Sequence, residues 1–194
     1  MMAVVGTLCF NFQVLLPLFA RFTWHGTATT YALLTSAMAV GSLAGALLSA
    51  RRTARPQPRF LVGSVLVFGV LTVITGLMPG YWAFAALLVP TGAAALVFSV
   101  ANNTFVQLGV DPQMRGRVMA LYFMCFLGGT PVGAPVIGWI GEHLGAPWSL
   151  VIGGAVVVVA GVLALVWLPR LGLSGRVDDA ARTPRASAVP ARAA

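Results

Sequence analysis

The sequence predicts an all-α integral membrane protein with six transmembrane helices, and three observations support this fold class. Hydrophobic residues make up 59% of the 194 residues, charged residues make up only 8%, and the mean hydropathy is +0.92. Six apolar runs each reach the roughly 20 residues that a helix needs to cross a bilayer. The third observation is the distribution of arginines between these runs. The predicted spans are residues 2–22, 28–50, 60–79, 81–103, 118–140 and 148–169.

The arginines give the predicted bundle an orientation. If the spans alternate in direction, eleven of the twelve arginines lie on one side and only Arg21 lies on the other. Because short cytoplasmic loops are enriched in basic residues, both termini are predicted to be cytoplasmic, in a multi-pass protein of the plasma membrane. Residues 171–194 are rich in Ala, Arg, Pro and Ser, which predicts a disordered cytosolic tail. The net charge of +8 belongs to these loops, so we expect a lipid bilayer as partner and no nucleic acid.

The first span carries polar groups at mid-depth. Asn11 and Gln13 lie near its midpoint, and Pro17 follows one turn later. A carboxamide inside the bilayer must find a protein partner or a wet cavity, so both residues are candidates for a substrate cavity. They are about 200° apart on a helix, so they do not both face one narrow cavity. Asn11 is the favoured cavity residue, and Gln13 would then bond a neighbouring helix.

The second span contains Gly41 and Gly45, a GxxxG spacing that allows another helix backbone to approach closely. Pro90 lies near the centre of the fourth span, and Pro131 and Pro135 interrupt the fifth. These residues predict bent or broken helices of the kind that alternating-access transporters use.

The polar residues also predict which spans face which surroundings. Asn102, Asn103 and Gln107 lie towards the inner end of the fourth span, where we expect them to close helix packing or to solvate the helix end. Spans one, two, four and five are predicted to face the interior, whereas the nearly pure hydrocarbon of spans three and six predicts lipid contact. The similar character of spans one and four, and of spans two and five, predicts a three-plus-three repeat.

The residue types that catalysis requires are scarce, so we expect no enzyme activity. The chain has four acidic residues, and two of them lie in the tail. No pair of acids or Ser–His dyad is evident within or near a span, and no nucleotide-binding glycine loop occurs in the sequence. Cys9 and Cys125 lie in different spans without metal-ligand spacing. The sequence therefore predicts no catalytic residue, no cofactor and no metal site.

Three stretches carry a resemblance to a known family. The stretch Asp111-Pro-Gln-Met-Arg-Gly-Arg-Val-Met-Ala-Leu121 resembles the cytoplasmic loop between helices ten and eleven of exporters of the major facilitator superfamily. Residues 128–138 are similar to the eleventh helix of that group, rich in proline and small residues, and residues 11–19 are similar to its seventh helix. The likeness covers residues 2 to 170 and is closest to the enterobactin-exporter and macrolide-efflux branch.

The resemblance implies that the chain is the C-terminal six-helix half of such an exporter, and that an N-terminal six-helix half is missing from it. It also implies cytoplasmic gate loops at Arg51 and Arg52 and at Arg115, Gly116 and Arg117. Ser49 and Ala50 stand where the family has an aspartate, so a charge relay at Arg51 and Arg52 is in doubt. These arginines could equally be topology determinants that stay in water.

Two functions follow from this resemblance and from the residues. The first is transport: secondary active export of drugs, siderophores or similar amphipathic small molecules by proton antiport and alternating access. No Asp, Glu, Lys, Arg or His lies in the central part of any span, so the titrating carboxylate would belong to the missing half. The alternative is a six-helix membrane protein that transports nothing and serves as a structural or partner-binding module.

Overall fold

A computed structural model describes residues 12–24, 26–52, 57–111, 113–128 and 130–167, and every regular element in these ranges is helical. A π-helical turn, Phe19–Thr23, extends the first helix. Two helices, Arg115–Gly128 and Thr130–His143, lie on either side of Gly129, which is outside the described residues. The helices are α1 (Phe12–Leu18), α2 (Ala28–Ala50), α3 (Pro58–Gly76), α4 (Tyr81–Gly109), α5 (Arg115–Gly128), α6 (Thr130–His143) and α7 (Ala146–Trp167).

Four helices are long and apolar enough to cross a membrane, namely α2, α3, α4 and α7. They confirm predicted spans two, three, four and six as helices of spanning length. The bounds of α2 are those predicted, whereas α4 continues six residues beyond residue 103. Helix α1 covers the second half of the first predicted span, and α5 and α6 cover the fifth. Six transmembrane helices therefore stay a prediction, and the tail lies outside the described residues.

The helix ends follow ordinary local rules. Pro58 opens α3 and Pro147 lies in the first turn of α7, where a missing backbone N–H costs no helical bond. Only four residues, 77–80, join α3 to α4, so these helices must run antiparallel as neighbours. Gly145 adopts a left-handed conformation with φ of +94° in the turn between α6 and α7, a conformation that favours glycine.

Two helix pairs dominate the packing. Helices α2 and α4 run parallel, because Gly41 lies against Val89 and, one turn later, Gly45 lies against Ala93. Helices α3 and α7 run antiparallel, with α3 placed between α4 and α7. The core between the helices is rich in aromatic and aliphatic side chains, including Phe12, Leu15, Phe19, Phe68, Phe84, Leu88, Phe98 and Leu150.

The prediction that the third span faces lipid is wrong for much of its surface. Helix α3 buries half of its most apolar 18-residue stretch, whereas α2, predicted to face the interior, buries only 17%. The reason is physical. Lipid tails and protein cores are equally apolar, so a hydrocarbon-rich sequence does not reveal which of the two surrounds a helix.

The two ends of the bundle carry different side chains. Trp24 packs edge-on against Tyr81 with ring centres 5.5 Å apart, at the end where α4 and α7 begin. Four of the five tryptophans lie at this end: Trp24, Trp82, Trp139 and Trp148. Five of the six described arginines lie at the opposite end, at Arg51, Arg52, Arg59, Arg115 and Arg117, whereas Arg21 lies at the tryptophan end. Tryptophan concentrates at membrane interfaces and arginine at cytoplasmic loops, so this polarity is that of a multi-pass membrane protein.

Candidate functional site

The contact between α2 and α4 is made backbone to backbone. A Cβ atom added at Gly45 would lie 2.5 Å from the carbonyl oxygen of Ala93, and one added at Gly41 would clash with the carbonyl oxygen of Val89. From the other side, a Cβ at Gly92 would lie 2.5 Å from the carbonyl oxygen of Met38. The glycine hydrogens therefore point at carbonyl oxygens, which is the arrangement of weak Cα–H···O contacts. Both residues of the predicted GxxxG pair lie in this seam.

Pro90 lies on α4 beside the seam. It is exposed and does not end the helix, which continues for 19 residues to Gly109. Because proline has no backbone N–H, the carbonyl of Ala86 loses its helical hydrogen bond. Of the other predicted prolines, Pro17 is exposed and precedes the π-helical turn, and Pro131 and Pro135 are exposed on α6.

The turn after Pro17 widens the end of α1. The N–H of Trp24 donates to the carbonyl of Phe19 at 3.2 Å, and the N–H of Gly26 donates to the carbonyl of Ala20 at 2.8 Å. These bonds span five and six residues instead of four. A proline one turn upstream is a known cause of such irregularity.

A cavity of about 300 Å³ lies between α1 and α2. The α2 side is a stripe at helical spacing, with Tyr31, Thr35, Met38 and Ser42 in successive turns. The α1 side is apolar. Phe12, Leu16 and Ala39 complete the lining. The wall therefore combines hydroxyl groups with apolar and thioether surface, and it carries no charge.

The hydroxyl groups of this stripe are only partly engaged. The Thr35 hydroxyl donates to the Tyr31 carbonyl at 2.9 Å, which leaves its oxygen lone pairs free to accept from a ligand. Of the predicted cavity residues, Asn11 and the Gln13 side chain lie outside the described residues. The sequence did not single out Tyr31 and Met38, although the spacing 31, 35, 38, 42 was a signal that could have found them.

A buried hydroxyl pair links α3 to α4. The Thr75 and Thr91 hydroxyl oxygens lie 3.1 Å apart, and each also lies 2.7 Å from a carbonyl of its own helix, that of Leu71 or Leu87. Two hydroxyl protons thus face three short oxygen contacts. One proton is therefore shared between the partner helix and the backbone.

Of the three carboxamides at the inner end of α4, Asn102 joins two helices, whereas Asn103 and Gln107 bond to each other within α4. Asn102 is 6% exposed, and its Nδ2 donates to the Tyr122 hydroxyl of α5 at 3.1 Å. One turn further, Gln107 Nε2 donates to Asn103 Oδ1 at 3.0 Å. Tyr122 was not anticipated from the sequence, because its partner lies on another helix.

The predicted gate residues lie at the arginine end of the bundle. Arg51 and Arg52 follow the end of α2, and Arg115 and Arg117 occupy the first turn of α5, with all four exposed. A Cβ added at Gly116 would meet open space. The Arg52 guanidinium carbon lies 4.0 Å from the centre of the Phe60 ring, so this arginine stacks on α3.

Comparison with known proteins gives these surfaces a context. The family model described as Major Facilitator Superfamily matches residues 1–193. The enterobactin exporter EntS of Citrobacter koseri is 29% identical over 164 residues, which are 82% of this chain and 38% of that protein. The probable sphingolipid transporter spinster homolog 1 of Arabidopsis thaliana is 26% identical over 156 residues, covering 80% of this chain and 32% of that protein.

A third relative extends the range of named substrates. The 3-(3-hydroxy-phenyl)propionate transporter of Escherichia coli is 28% identical over 161 residues, which are 80% of this chain and 38% of that protein. The chain thus spans between 32% and 38% of the length of these three relatives. No solved structure matches it. Since the family model covers nearly the whole sequence, the chain belongs to the major facilitator superfamily.

Proposed function

We propose that this chain is one six-helix half of a secondary active exporter and that it moves amphipathic small molecules out of the cell by alternating access. The observation that carries the proposal is the cavity of about 300 Å³ beside α2, in a chain whose family includes named transporters and an exporter. Such transporters bind substrate near the bilayer midplane, between two bundles that rock against each other.

The lining of the cavity supports an amphipathic, uncharged contact surface. Phe12 and Leu16 offer apolar area, Met38 offers a soft, adaptable one, and Tyr31 and Thr35 offer hydroxyl groups. The relatives are named for enterobactin, sphingolipid and 3-(3-hydroxy-phenyl)propionate, which differ in structure. Their names therefore do not select one substrate, and a drug or siderophore is proposed only as a class.

The exposed face of α2 supports a partner bundle. Val40, Leu43 and Leu47 are each more than half exposed on this helix. We propose that an N-terminal six-helix half covers this face. The arginines at residues 51, 52, 115 and 117 would then close the gate at the inner end of the two bundles.

Proton antiport is the proposed driving reaction. The described acidic residues, Asp111 and Glu142, are both exposed and lie outside the four helices of spanning length. The group that carries the proton would then belong to the partner half. The alternative, a helix bundle that transports nothing, is not favoured, because all three matched relatives are named as exporters or transporters.

Efflux from cells tests the proposal. The chain is co-expressed with an N-terminal half, and export of a fluorescent amphipathic dye is measured with and without a proton gradient. We expect saturable efflux that Ser42→Leu, which fills the cavity, reduces severalfold. Val70→Leu is the matched control, because Val70 is exposed on α3 away from the cavity. Equal efflux by both variants would show that the cavity does not bind substrate.

Cysteine labelling tests the proposed orientation, with both termini in the cytoplasm of a plasma-membrane protein. Gln57 and Pro79 are exposed at opposite ends of α3. On a background without Cys9 and Cys125, an impermeant reagent added to intact cells is expected to label Pro79→Cys and not Gln57→Cys. Labelling of Gln57→Cys and not of Pro79→Cys would show that the bundle has the opposite orientation in the membrane.

A further inference from the structure

A second cavity, of about 510 Å³, lies between α2, α3 and α4 towards the arginine end of the bundle. Its walls are almost wholly apolar and include Leu48, Phe60, Val67, Ala93 and Val97. The volume lies within the roughly 300–1,000 Å³ of sites that hold small molecules. The proposed transport function does not use this groove, because the substrate cavity lies on another face of α2, against α1.

The mouth of the groove is basic. Arg59 lines it, and Arg52 is held nearby by stacking on Phe60, which is itself part of the wall. The two described acidic residues, Asp111 and Glu142, do not line the groove. The positive charge at the mouth is therefore available to an anion.

The backbone at the mouth adds to this preference. Arg59 lies in the first turn of α3, and the N-cap residue Gln57 makes no side-chain hydrogen bond to the helix end. Pro58 has no N–H, and the N–H of Phe60 donates to the Gln57 carbonyl at 3.0 Å, so this helix end attracts an anion mainly through the positive end of its dipole. An anion next to Arg59 would therefore meet a guanidinium at the positive end of a helix.

A buried hydroxyl without a partner lies on the same route. Ser49 Oγ is inaccessible to solvent and makes no hydrogen bond, which is unusual for a buried hydroxyl. It lines a small cavity of about 40 Å³ together with Arg52, Phe60 and Val97. Phe60 and Val97 also line the large groove, so the small cavity continues it under Arg52. The groove and the small cavity together therefore form an apolar channel, which ends at two arginines and at the Ser49 hydroxyl that makes no hydrogen bond.

We propose that this groove binds an anionic phospholipid of the membrane leaflet on the arginine side. One acyl chain lies along Gly63 and Val67, and the phosphate is held between Arg52 and Arg59. Lipid binding in this groove does not depend on the proposed transport function.

The apolar groove and the arginines contribute differently to binding in this site. Lipid tails are as apolar as the groove, so the acyl chain gains packing contacts but little selectivity. Selectivity comes from the headgroup, because each arginine near an anionic lipid surface contributes about fivefold to binding. A zwitterionic lipid carries its own ammonium group to the arginines and should bind more weakly. Acyl chain and phosphate must be covalently linked for both parts of the site to act together.

Native mass spectrometry of the delipidated 194-residue chain in detergent tests the proposal. The probes are dioleoyl phosphatidylglycerol, dioleoyl phosphatidylcholine with the same acyl chains, and glycerol 3-phosphate without them. We expect phosphatidylglycerol to bind at least tenfold more tightly than phosphatidylcholine, and glycerol 3-phosphate to compete poorly with phosphatidylglycerol. The double variant Arg52→Gln with Arg59→Gln should bind phosphatidylglycerol about 25-fold more weakly, because each arginine contributes about fivefold.

Two further variants separate the groove from general surface charge. Gly63→Leu places a side chain in the groove, where a Cβ at Gly63 meets nothing within 4 Å, and it should weaken both lipids severalfold at unchanged helical content. Arg115→Gln with Arg117→Gln removes the same charge at the same end and should leave lipid binding within twofold.

Four results would overturn the proposal. Equal binding of the two lipids would show that the site does not recognise the headgroup. Equal losses of lipid binding in the two double arginine variants would show that the arginines act only through general surface charge. Competition by glycerol 3-phosphate at the lipid's own concentration would assign the site to a soluble phosphate. A change in self-association by Gly63→Leu, with lipid binding unchanged, would show that a second copy of the chain covers the groove.

Discussion

The two dominant helix pairs both depend on glycine, but their glycines face different neighbours. In the parallel pair α2–α4, Gly41, Gly45 and Gly92 face backbone carbonyl oxygens of the other helix. In the antiparallel pair α3–α7, contacts with side chains predominate. A Cβ at Gly161 would lie 2.8 Å from a terminal carbon of Leu66, and one at Gly69 would lie 2.9 Å from a terminal carbon of Val158.

This difference decides how each pair responds to change. A side chain can move to another rotamer, whereas a carbonyl oxygen in the middle of a helix moves only if the whole helix moves. Burial points the same way, because α3 buries half of its apolar stretch and α2 only 17%. Helix α2 is thus held mainly along its seam with α4, while α3 is held from two sides. The position of α2, and of the cavity wall that it carries, depends on a few atoms.

The largest effect is expected where the seam is tightest. In an open helix, Gly→Ala stabilises by about 0.5–1 kcal/mol. At Gly41 a methyl group would clash with the Val89 carbonyl, so Gly41→Ala should destabilise by about 1–3 kcal/mol, and Gly41→Leu should prevent the two helices from packing. Thermal unfolding in detergent, followed by size-exclusion chromatography, measures this.

Gly63 provides the control for that comparison. It lies in the second turn of α3, and a Cβ there meets nothing within 4 Å. Gly63→Ala should therefore leave the melting temperature unchanged or raise it slightly. If Gly41→Ala behaves like Gly63→Ala, the close approach of α2 and α4 does not hold the bundle together.

Within α3–α7 the same reasoning predicts a graded effect. A Cβ at Gly154 would lie 2.9 Å from the Gly69 carbonyl oxygen and 3.0 Å from the Val73 nitrogen, whereas Gly161 faces the flexible end of Leu66. Gly154→Ala should therefore cost about 1 kcal/mol or more, and Gly161→Ala should cost less than that. The same thermal assay ranks these two sites. A larger loss at Gly161 than at Gly154 would contradict the distinction between backbone and side-chain neighbours.

How much of this could be read from the sequence depends on the range of the interaction. The four-residue spacing of Gly41 and Gly45 puts both on one face, so a close helix contact was predictable. The identity of the partner was not, because GxxxG does not specify the other helix, and Gly92 carries no comparable signal. The cavity wall was missed for the same reason. Tyr31 and Met38 are ordinary span residues until Phe12 of another helix faces them.

Hydrocarbon content was the least informative signal. It identified four spans, including the bounds of α2, but placed α3 against lipid where α4 and α7 cover it. The gate function of Arg115 and Arg117 stays a prediction, because a gate needs an opposing surface that the described residues do not contain. Asn11 lies outside the described residues, so its place in the cavity is untested.

The smallest expected effect lies between the two helix pairs, at the hydroxyls of Thr75 and Thr91. Each is fully buried and bonds a carbonyl of its own helix as well as the other hydroxyl, at 3.1 Å. Since two protons serve three contacts, the link between α3 and α4 is a shared bond and should be weak.

A double-mutant cycle with Thr75→Val and Thr91→Val should give a coupling of about 0.6 kcal/mol, the average for hydrogen bonds between membrane helices. Each single change should cost more than half of the double change, because it leaves one buried hydroxyl without its neighbour. A coupling of 2 kcal/mol or more, which is above the roughly 1.7 kcal/mol maximum measured for such bonds, would show that this pair, and not the glycine seam, fixes α4 against its neighbours.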